Sequence, residues 1–453
     1  MTLPPKPEAR AGDVSLWRYL RLFRRDILSA QPARLYRAWM AEFRTPFFRS
    51  FLCNQPALVD LVLRNRPNDF PKSSRIREGL TPLLGQSVFV TNGAIWERQR
   101  RIIDPAFEGG RLRDTFEAIR AAGQGGIGRL AAHPTGTAIE IEAQTSHMAA
   151  DVIFRTLFSV PIEDKLASEV FAAFQDHQRA QPLVTLSALM PWPRWLPRLH
   201  RRRTRRSAAR IRDLITEMTR IRAAEIAAGH APDDLATKIM TTPDPETGVC
   251  FGTDEMVDQV AIFFLAGHET SASALAWALY LLALYPDWQE RVAAEAQTVL
   301  KDDFSFGDLS KLAISRDVFR ETLRLYPPVP MMVREAAQDE TFRDRAVRRG
   351  SQIVLSPWHL HRHARLWEQP DAFDPGRFAT ENGKACLREA YIPFSAGRRV
   401  CPGAGFAMIE GPLLLSQIAR AFRLTALPDR APVPVAHLTV RAREGIYLRL
   451  TPR

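Results

Sequence analysis

The run QVAIFFLAGHETSASALAWALYLLALYP, Gln259 to Pro286, constrains this chain more than any other stretch. It is long enough to cross a bilayer as a helix. Its middle, however, holds His268, Glu269 and Thr270, and ionisable groups at that depth are costly in lipid. A helix that is apolar on nearly every side can instead lie at the centre of a large protein. We read it as a buried central helix over about residues 254–285 with a polar notch. Such a helix has to be wrapped by others, so the body around it must be large and mostly helical.

The chain has 453 residues, 46% of them hydrophobic, and no Gly/Ser linker or charge block divides it. One unit spanning residues 1–453 is expected rather than the several that length suggests. Helical patterning continues over residues 136–185 and 205–230, and SVFVT (Ser87–Thr91) reads as a short strand. Past Arg324 the character changes. Pro327, Pro328 and Pro330 crowd in, and SQIVLSP (Ser351–Pro357) and GIYLRLT (Gly445–Thr451) are strand-like. The fold class is therefore mainly α with a smaller β-rich lobe, α+β.

Net charge is +12, and residues 1–50 carry ten Lys/Arg against four Asp/Glu. No nucleic-acid motif accompanies this charge, which excludes nucleic acid as the partner. Residues 12–30 pattern as a basic amphipathic helix, with Leu16, Leu20, Phe23 and Ile27 on one face. We read that face as packing on the protein's own core. Peripheral contact with an anionic membrane is the second reading, also suited to the Pro/Trp run MPWPRWLPRLH (Met190–His200) and the basic HRRRTRR (His200–Arg206) after it. No secretory pattern opens the chain, and Cys53, Cys250, Cys386 and Cys401 show neither disulfide nor zinc spacing. A reducing, cytoplasmic setting and a monomer are expected.

Cys401 stands apart from the other cysteines. FSAGRRVCPG, residues 394–403, is a tight, glycine-punctuated, arginine-rich turn. Pro402 and Gly403 follow, then an apolar helical pattern, so Cys401 lies just ahead of a helix N-terminus. Backbone N–H groups and Arg399 there favour a thiolate. A lone cysteine is more often a small buried hydrophobe, but ten such residues argue for a reactive or metal-binding sulfur. Phe394-x-x-Gly397-x-Arg399-x-Cys401-x-Gly403 resembles the haem-binding signature of the cytochrome P450 family at every position. The resemblance extends from about Trp96 to the C-terminus.

Further motifs fall at fitting distances. Glu321 and Arg324 in ETLRLYPP share a helix face, 77 residues before Cys401 as counted from Arg324. The resemblance implies that they lock onto Arg377 of FDPGRF and hold the cysteine loop, although Gly376 stands where the family usually has glutamate. Ala266, Gly267, Glu269 and Thr270 of LAGHETSAS match the family's central-helix motif. Thr270 can bond back to a carbonyl one turn earlier, and Gly267 weakens the helix there. Glu269 and Thr270 are the catalytic proton-delivery pair by resemblance, with Ala266 and Gly267 leaving room for dioxygen. Trp96 and Arg100 of WERQR, Arg399 and Arg334 are implied to bind the haem propionates, with Phe394 and Gly403 in the haem loop. HLHRH (His359, His361, His363) could face a metal by strand alternation, but is read as packing.

What the resemblance implies is a P450-like fold with haem b between the central helix and the cysteine-loop helix, and Cys401 as the iron ligand. A thiolate-ligated haem favours O–O cleavage, so a monooxygenase is expected, hydroxylating a lipophilic compound such as a fatty acid or terpenoid. Phe263, Met331 and Met332 are expected in the substrate pocket, and Arg75 or Arg77 could hold a substrate carboxylate. Too few residues follow the cysteine loop for a fused flavin reductase. Electrons from NAD(P)H would then arrive through a separate ferredoxin or flavodoxin and its reductase, docking on Arg98, Arg101, Arg111, Arg113 and Arg398. Two rivals are a peroxide-driven peroxygenase and a non-catalytic haem-thiolate protein that carries or senses a ligand. The intact Glu269–Thr270 pair argues against both.

Overall fold

The computed structural model describes residues 2–10, 12, 14–44, 48–180, 202–436 and 438–453. The Pro/Trp run Met190–His200 lies outside them. Helix α1 (Leu16–Arg25) is capped by Ser15, whose hydroxyl accepts the Arg18 N–H. Strands β1 (Met40–Arg44) and β2 (Arg49–Cys53) follow, then α2 (Ser74–Leu84), α3 (Gly93–Ile103) and α4 (Phe116–Ala131). A short β3 (Ala138–Glu140) leads into α5 (Ile141–Phe158), which is capped by the Glu140 carboxylate accepting the N–H of Glu142 and Ala143. Helices α6 (Lys165–Ala180) and α7 (Arg202–Ala227) precede the central helix α8 (Thr253–Leu284).

Helix α8 is the expected buried helix, starting six residues before its apolar run. Glu255 accepts the Gly252 N–H and closes its first turn. Trp277, Leu281 and Leu282 are fully enclosed, and α8 packs on α5, α7 and the later helices. The polar notch is satisfied inside the protein: His268 meets the Ser146 hydroxyl of α5 at 2.7 Å. Among the described residues no helix is long and apolar enough to cross a membrane.

Pro286 starts α9 (Pro286–Val299), where its missing N–H costs nothing. Helix α10 (Ala313–Leu325) ends before the prolines that follow Tyr326. The β-rich lobe then begins with β4 (Met332–Glu335) and β5 (Gln352–Leu355). Helix α11 (Ala404–Ala421) follows the cysteine turn and leads to β6 (Phe422–Ala426), β7 (Pro434–Ala436), β8 (Val440–Ala442) and β9 (Tyr447–Pro452). One sheet runs β1-β2-β5-β4; its β2–β5 pair is parallel, with Phe51 opposite Ile353, and its other pairs are antiparallel. A second runs β3-β9-β6, and β7 and β8 form a hairpin.

SVFVT is not a strand. Val90 and Thr91 donate their N–H groups back to the Ser87 carbonyl, and the Val88 N–H goes to the Gln259 side chain on α8. A side chain supplied from far along the chain replaces the strand partner that local patterning suggested.

Candidate active site

The cysteine turn is built by close backbone approach. Ser395 and Gly397 have positive φ, and a Cβ on Gly397 would sit 2.2 Å from the Leu63 carbonyl oxygen. The Cys401 N–H donates to the Phe394 carbonyl at 2.9 Å. Arg100 donates to the Val400 carbonyl at 2.8 Å, pinning the turn to α3. The sulfur opens onto a cavity of about 1340 Å³. In the protein without a metal the expected thiolate is not favoured: burial pushes the Cys401 thiol up, and the Gly403 N–H and Arg100 offset only part of this. A coordinated metal would deprotonate it outright.

The same cavity gathers nearly every residue singled out in the sequence. Trp96, Arg100, Arg334, Phe394, Arg399 and Gly403 line it with Cys401. Ala266, Gly267, Glu269 and Thr270 line it from α8, and Phe263, Met331 and Met332 complete its apolar wall. The Thr270 hydroxyl donates to the Ala266 carbonyl at 2.7 Å, the expected back-bond. Gly267 does not open the helix, however. Helix α8 is continuous, and a Cβ on Gly267 would meet the Ile153 side chain at 2.4 Å. Close packing against α5 is the reason for glycine there.

The cations carry the clearest message. Arg334 is 8% exposed and its Nε has no partner among the described residues. Burial, then the nearby Arg399, lowers its pKa to about 10. Lys72 on the loop before α2, which sequence reasoning missed, also lines the cavity. Burial pushes its ammonium well down, with Arg399, Arg334 and Arg100 adding to the effect. Lys72, Arg100 and Arg399 surround the Trp96 ring at 5.6, 5.6 and 4.9 Å from its centroid. Among the described residues the one acid paired with these four cations is Asp104, 2.6 Å from Arg100. Burying that much like charge is costly unless an anion joins it. Two propionates beside an iron-ligating sulfur meet that need, so the residues present fit haem.

The Glu269 carboxylate makes no hydrogen bond to the Thr270 hydroxyl among the described residues. It pairs with Arg441 on β8 at 2.6 Å and accepts the Thr439 hydroxyl at 3.0 Å. A second acid was not foreseen. Glu410 on α11, nine residues beyond Cys401, accepts the Ser271 hydroxyl at 2.5 Å, beside Thr270. Its other oxygen has no partner among the described residues, and burial raises its pKa to about 8. It is therefore largely protonated at neutral pH.

Away from the cavity, Glu321 is fully enclosed and accepts from Arg324 at 2.8 Å and Arg377 at 2.9 Å. The Asp374 N–H adds a bond at 3.0 Å. The three histidines do not share a strand face: His361 accepts the Ile392 N–H at 2.9 Å and His363 stacks on Trp39. Arg75 lies 4.5 Å over the Phe48 ring. Three of the five arginines expected at a docking face are already paired, Arg98 with Glu255, Arg101 with Asp244 and Arg398 with Glu97. Arg111 and Arg113 are exposed without an ion pair among the described residues. They flank Leu112, which lies against Gly405 just after the cysteine turn.

Comparison with known proteins agrees with this geometry. The cytochrome P450 family model matches residues 42–450. The chain is 32% identical over 433 residues to cyclooctat-9-en-7-ol 5-monooxygenase of Streptomyces melanosporofaciens, covering 94% of this chain and 90% of that protein. It is 30% identical over 400 residues to cyclooctatin synthase of the same organism, covering 86% and 84%. The haem domain of cytochrome P450DA superposes with a TM-score of 0.81 at 23% identity, covering 100% of this chain and 99% of that one. The fold and the site thus define a haem-dependent, dioxygen-using oxidoreductase. The chain belongs to the cytochrome P450 family and is a P450 monooxygenase.

Proposed function

We propose that this monooxygenase hydroxylates a lipophilic, hydrocarbon-rich substrate in the cavity under α8. Cys401 would ligate haem iron, and Lys72, Arg100, Arg334 and Arg399 would hold its propionates around Trp96. Bound there, the haem supplies dioxygen activation, with the thiolate favouring O–O cleavage. The chain supplies position and protons. The Thr270 hydroxyl stands on the cavity wall, where it can hold a proton for transfer. Glu410, largely neutral at pH 7, is a proton store bonded to the Ser271 hydroxyl, and Ser271 lines the cavity next to Thr270. The Glu269 carboxylate, paired with Arg441, would relay protons toward Thr270 when that pair opens.

Apolar residues such as Phe263, Leu265, Met331 and Phe406 line the cavity. Burying hydrocarbon against them provides affinity without directional demands. The name of the cyclooctat-9-en-7-ol 5-monooxygenase describes action on an unsaturated alcohol, in keeping with such a substrate. NAD(P)H electrons would come from a separate ferredoxin or flavodoxin and its reductase, with Arg111 and Arg113 as its cationic contacts.

The observation that carries the proposal is the meeting, on one cavity, of a sulfur, four cations, two of them buried, and a helix-bound hydroxyl. The test is turnover of a panel of lipophilic alcohols, hydrocarbons and fatty acids under ¹⁸O₂, with a ferredoxin and its NAD(P)H-dependent reductase. One labelled oxygen atom per product is expected. Product formed only with added hydrogen peroxide, or product whose oxygen carries no label because it came from peroxide or water, would overturn it.

A further inference from the structure

One part of the cavity is polar, and haem does not account for it. Arg441 on β8 lines the cavity with Glu269, Thr439 and Gln178. Its Nη2 is engaged, with Glu269 at 2.6 Å and the Gln178 side-chain oxygen at 3.3 Å. Its Nε–H and Nη1–H groups make no hydrogen bond among the described residues, although its side chain is only 36% exposed. The Gln178 amide nitrogen is likewise buried without a partner. Glu269 accepts one bond at each oxygen, and a carboxylate oxygen can accept a second. Unused donors and an unused acceptor therefore stand side by side in a largely apolar chamber. The buried Gln178 nitrogen costs free energy unless something pairs with it, and the Arg441 donors stand beside it, open to the cavity.

The surrounding charge says what can pair. Glu140, Glu142 and Glu444 line this part of the cavity too. Glu142 accepts the Ala442 N–H next to Arg441 at 3.0 Å, and Glu140 lies against Gly445. His268, beside Glu269, is buried and held neutral by that burial. Among the described residues at this end of the cavity, Arg441 is thus a single cation, already paired with Glu269, facing Glu140, Glu444 and a Glu142 carboxyl that burial raises to about 7. A carboxylate entering here would meet net repulsion. A neutral hydroxyl would not: its oxygen can accept from Arg441 and its hydrogen can go to Glu269.

We propose that Arg441, Gln178 and Glu269 form a head-group site for a neutral hydroxyl on the substrate. This rests on the reading of the cavity as the monooxygenase pocket and narrows its substrate to lipophilic alcohols. The enzyme then acts on a compound already oxygenated, so an alcohol-forming step, such as a hydroxylation, a hydration or a carbonyl reduction, must precede it.

The test uses the haem-loaded protein and three ligands with one carbon ring: cyclododecane, cyclododecanol and cyclododecanecarboxylate. Binding is read from the haem spin-state shift and by calorimetry. For the unmodified protein, cyclododecanol should bind at least about tenfold tighter than cyclododecane, the scale of one satisfied polar pair, and tighter than the carboxylate. Arg441→Met should bring alcohol and hydrocarbon within about twofold of each other, with Arg441→Lys between. Equal binding of alcohol and hydrocarbon by the unmodified protein would overturn the proposal without needing either variant. So would tighter binding of the carboxylate, which would make Arg441 an anion site. A protein that binds cyclododecane with a spin-state shift retains the cavity reading even then; absence of any shift with all three ligands would overturn that reading and this proposal with it.

Discussion

Replacing Glu410 by Gln should stabilise the protein, and the gain should depend on pH with a definite sign. Glu410 is enclosed on α11 with one hydrogen bond, from Ser271, and one unpartnered oxygen. Its pKa rises from 4.5 to about 8 through burial. The unfolded chain therefore loses this proton from about pH 4.5 upward while the folded chain keeps it until about pH 8. A raised carboxyl of this kind costs the fold nothing below pH 4.5 and progressively more as pH rises to 8. At roughly 1.4 kcal/mol per pH unit, the cost grows by roughly 3–4 kcal/mol between pH 5 and pH 8. Gln keeps the shape and the bond from Ser271 but does not titrate. In urea, followed by far-ultraviolet circular dichroism of the haem-loaded proteins, the Glu410→Gln midpoint should nearly match the parent at pH 5. At pH 8 it should exceed the parent's by roughly 1 M, given the slope expected for a chain of this size. The buried histidines titrate alike in both proteins and cancel. A difference that is the same at both pH values, or a parent that is the more stable at pH 8, would refute the reasoning, because Glu410 would then be ionised in the folded state.

Other outcomes follow from the same geometry. Thr270→Ala should leave substrate binding within about twofold while diverting most consumed oxygen to hydrogen peroxide, since positioned proton donors contribute roughly 10²–10⁴-fold; unchanged coupling in an oxygen-electrode and product assay would count against Thr270. Lys72→Met, titrated as the apoprotein with haemin, should weaken haem binding at least about tenfold, as expected for losing one charge-assisted contact; unaltered affinity would remove Lys72 from the propionate cradle. Glu321→Gln leaves Arg324 and Arg377 buried with reduced compensation and should destabilise the fold by about 3–5 kcal/mol, seen as a lowered calorimetric transition; a change below about 1 kcal/mol would show that the backbone carbonyls around both arginines suffice.

What could be read in the chain alone was chemistry written in consecutive residues. The cysteine turn, the polar notch of α8 and the Glu321–Arg324 spacing each declare themselves within ten residues. The residues missed act across the fold. Lys72 reaches the Trp96 ring from the loop before α2, and Thr439 and Arg441 reach Glu269 from about 170 positions away. Ser271 becomes significant only beside Glu410. Burial was also invisible. The helix N-terminus suggested a thiolate at Cys401, but desolvation outweighs that dipole until a metal is bound. Gly267 looked like an opening and proved to be a contact with Ile153. Ser87–Thr91 alternated like a strand, yet its N–H groups are claimed by its own turn and by Gln259.

The central claim is that Cys401 ligates haem iron in a cradle of four cations. The most direct test is the absorption spectrum of the purified, dithionite-reduced protein with and without carbon monoxide, repeated on Cys401→Ser. A Soret band shifted strongly to the red in the parent, and absent from the variant while its fold is retained by circular dichroism, is the predicted result. A band at the position of histidine-ligated haem in the parent, or the same red-shifted band in Cys401→Ser, would contradict the account.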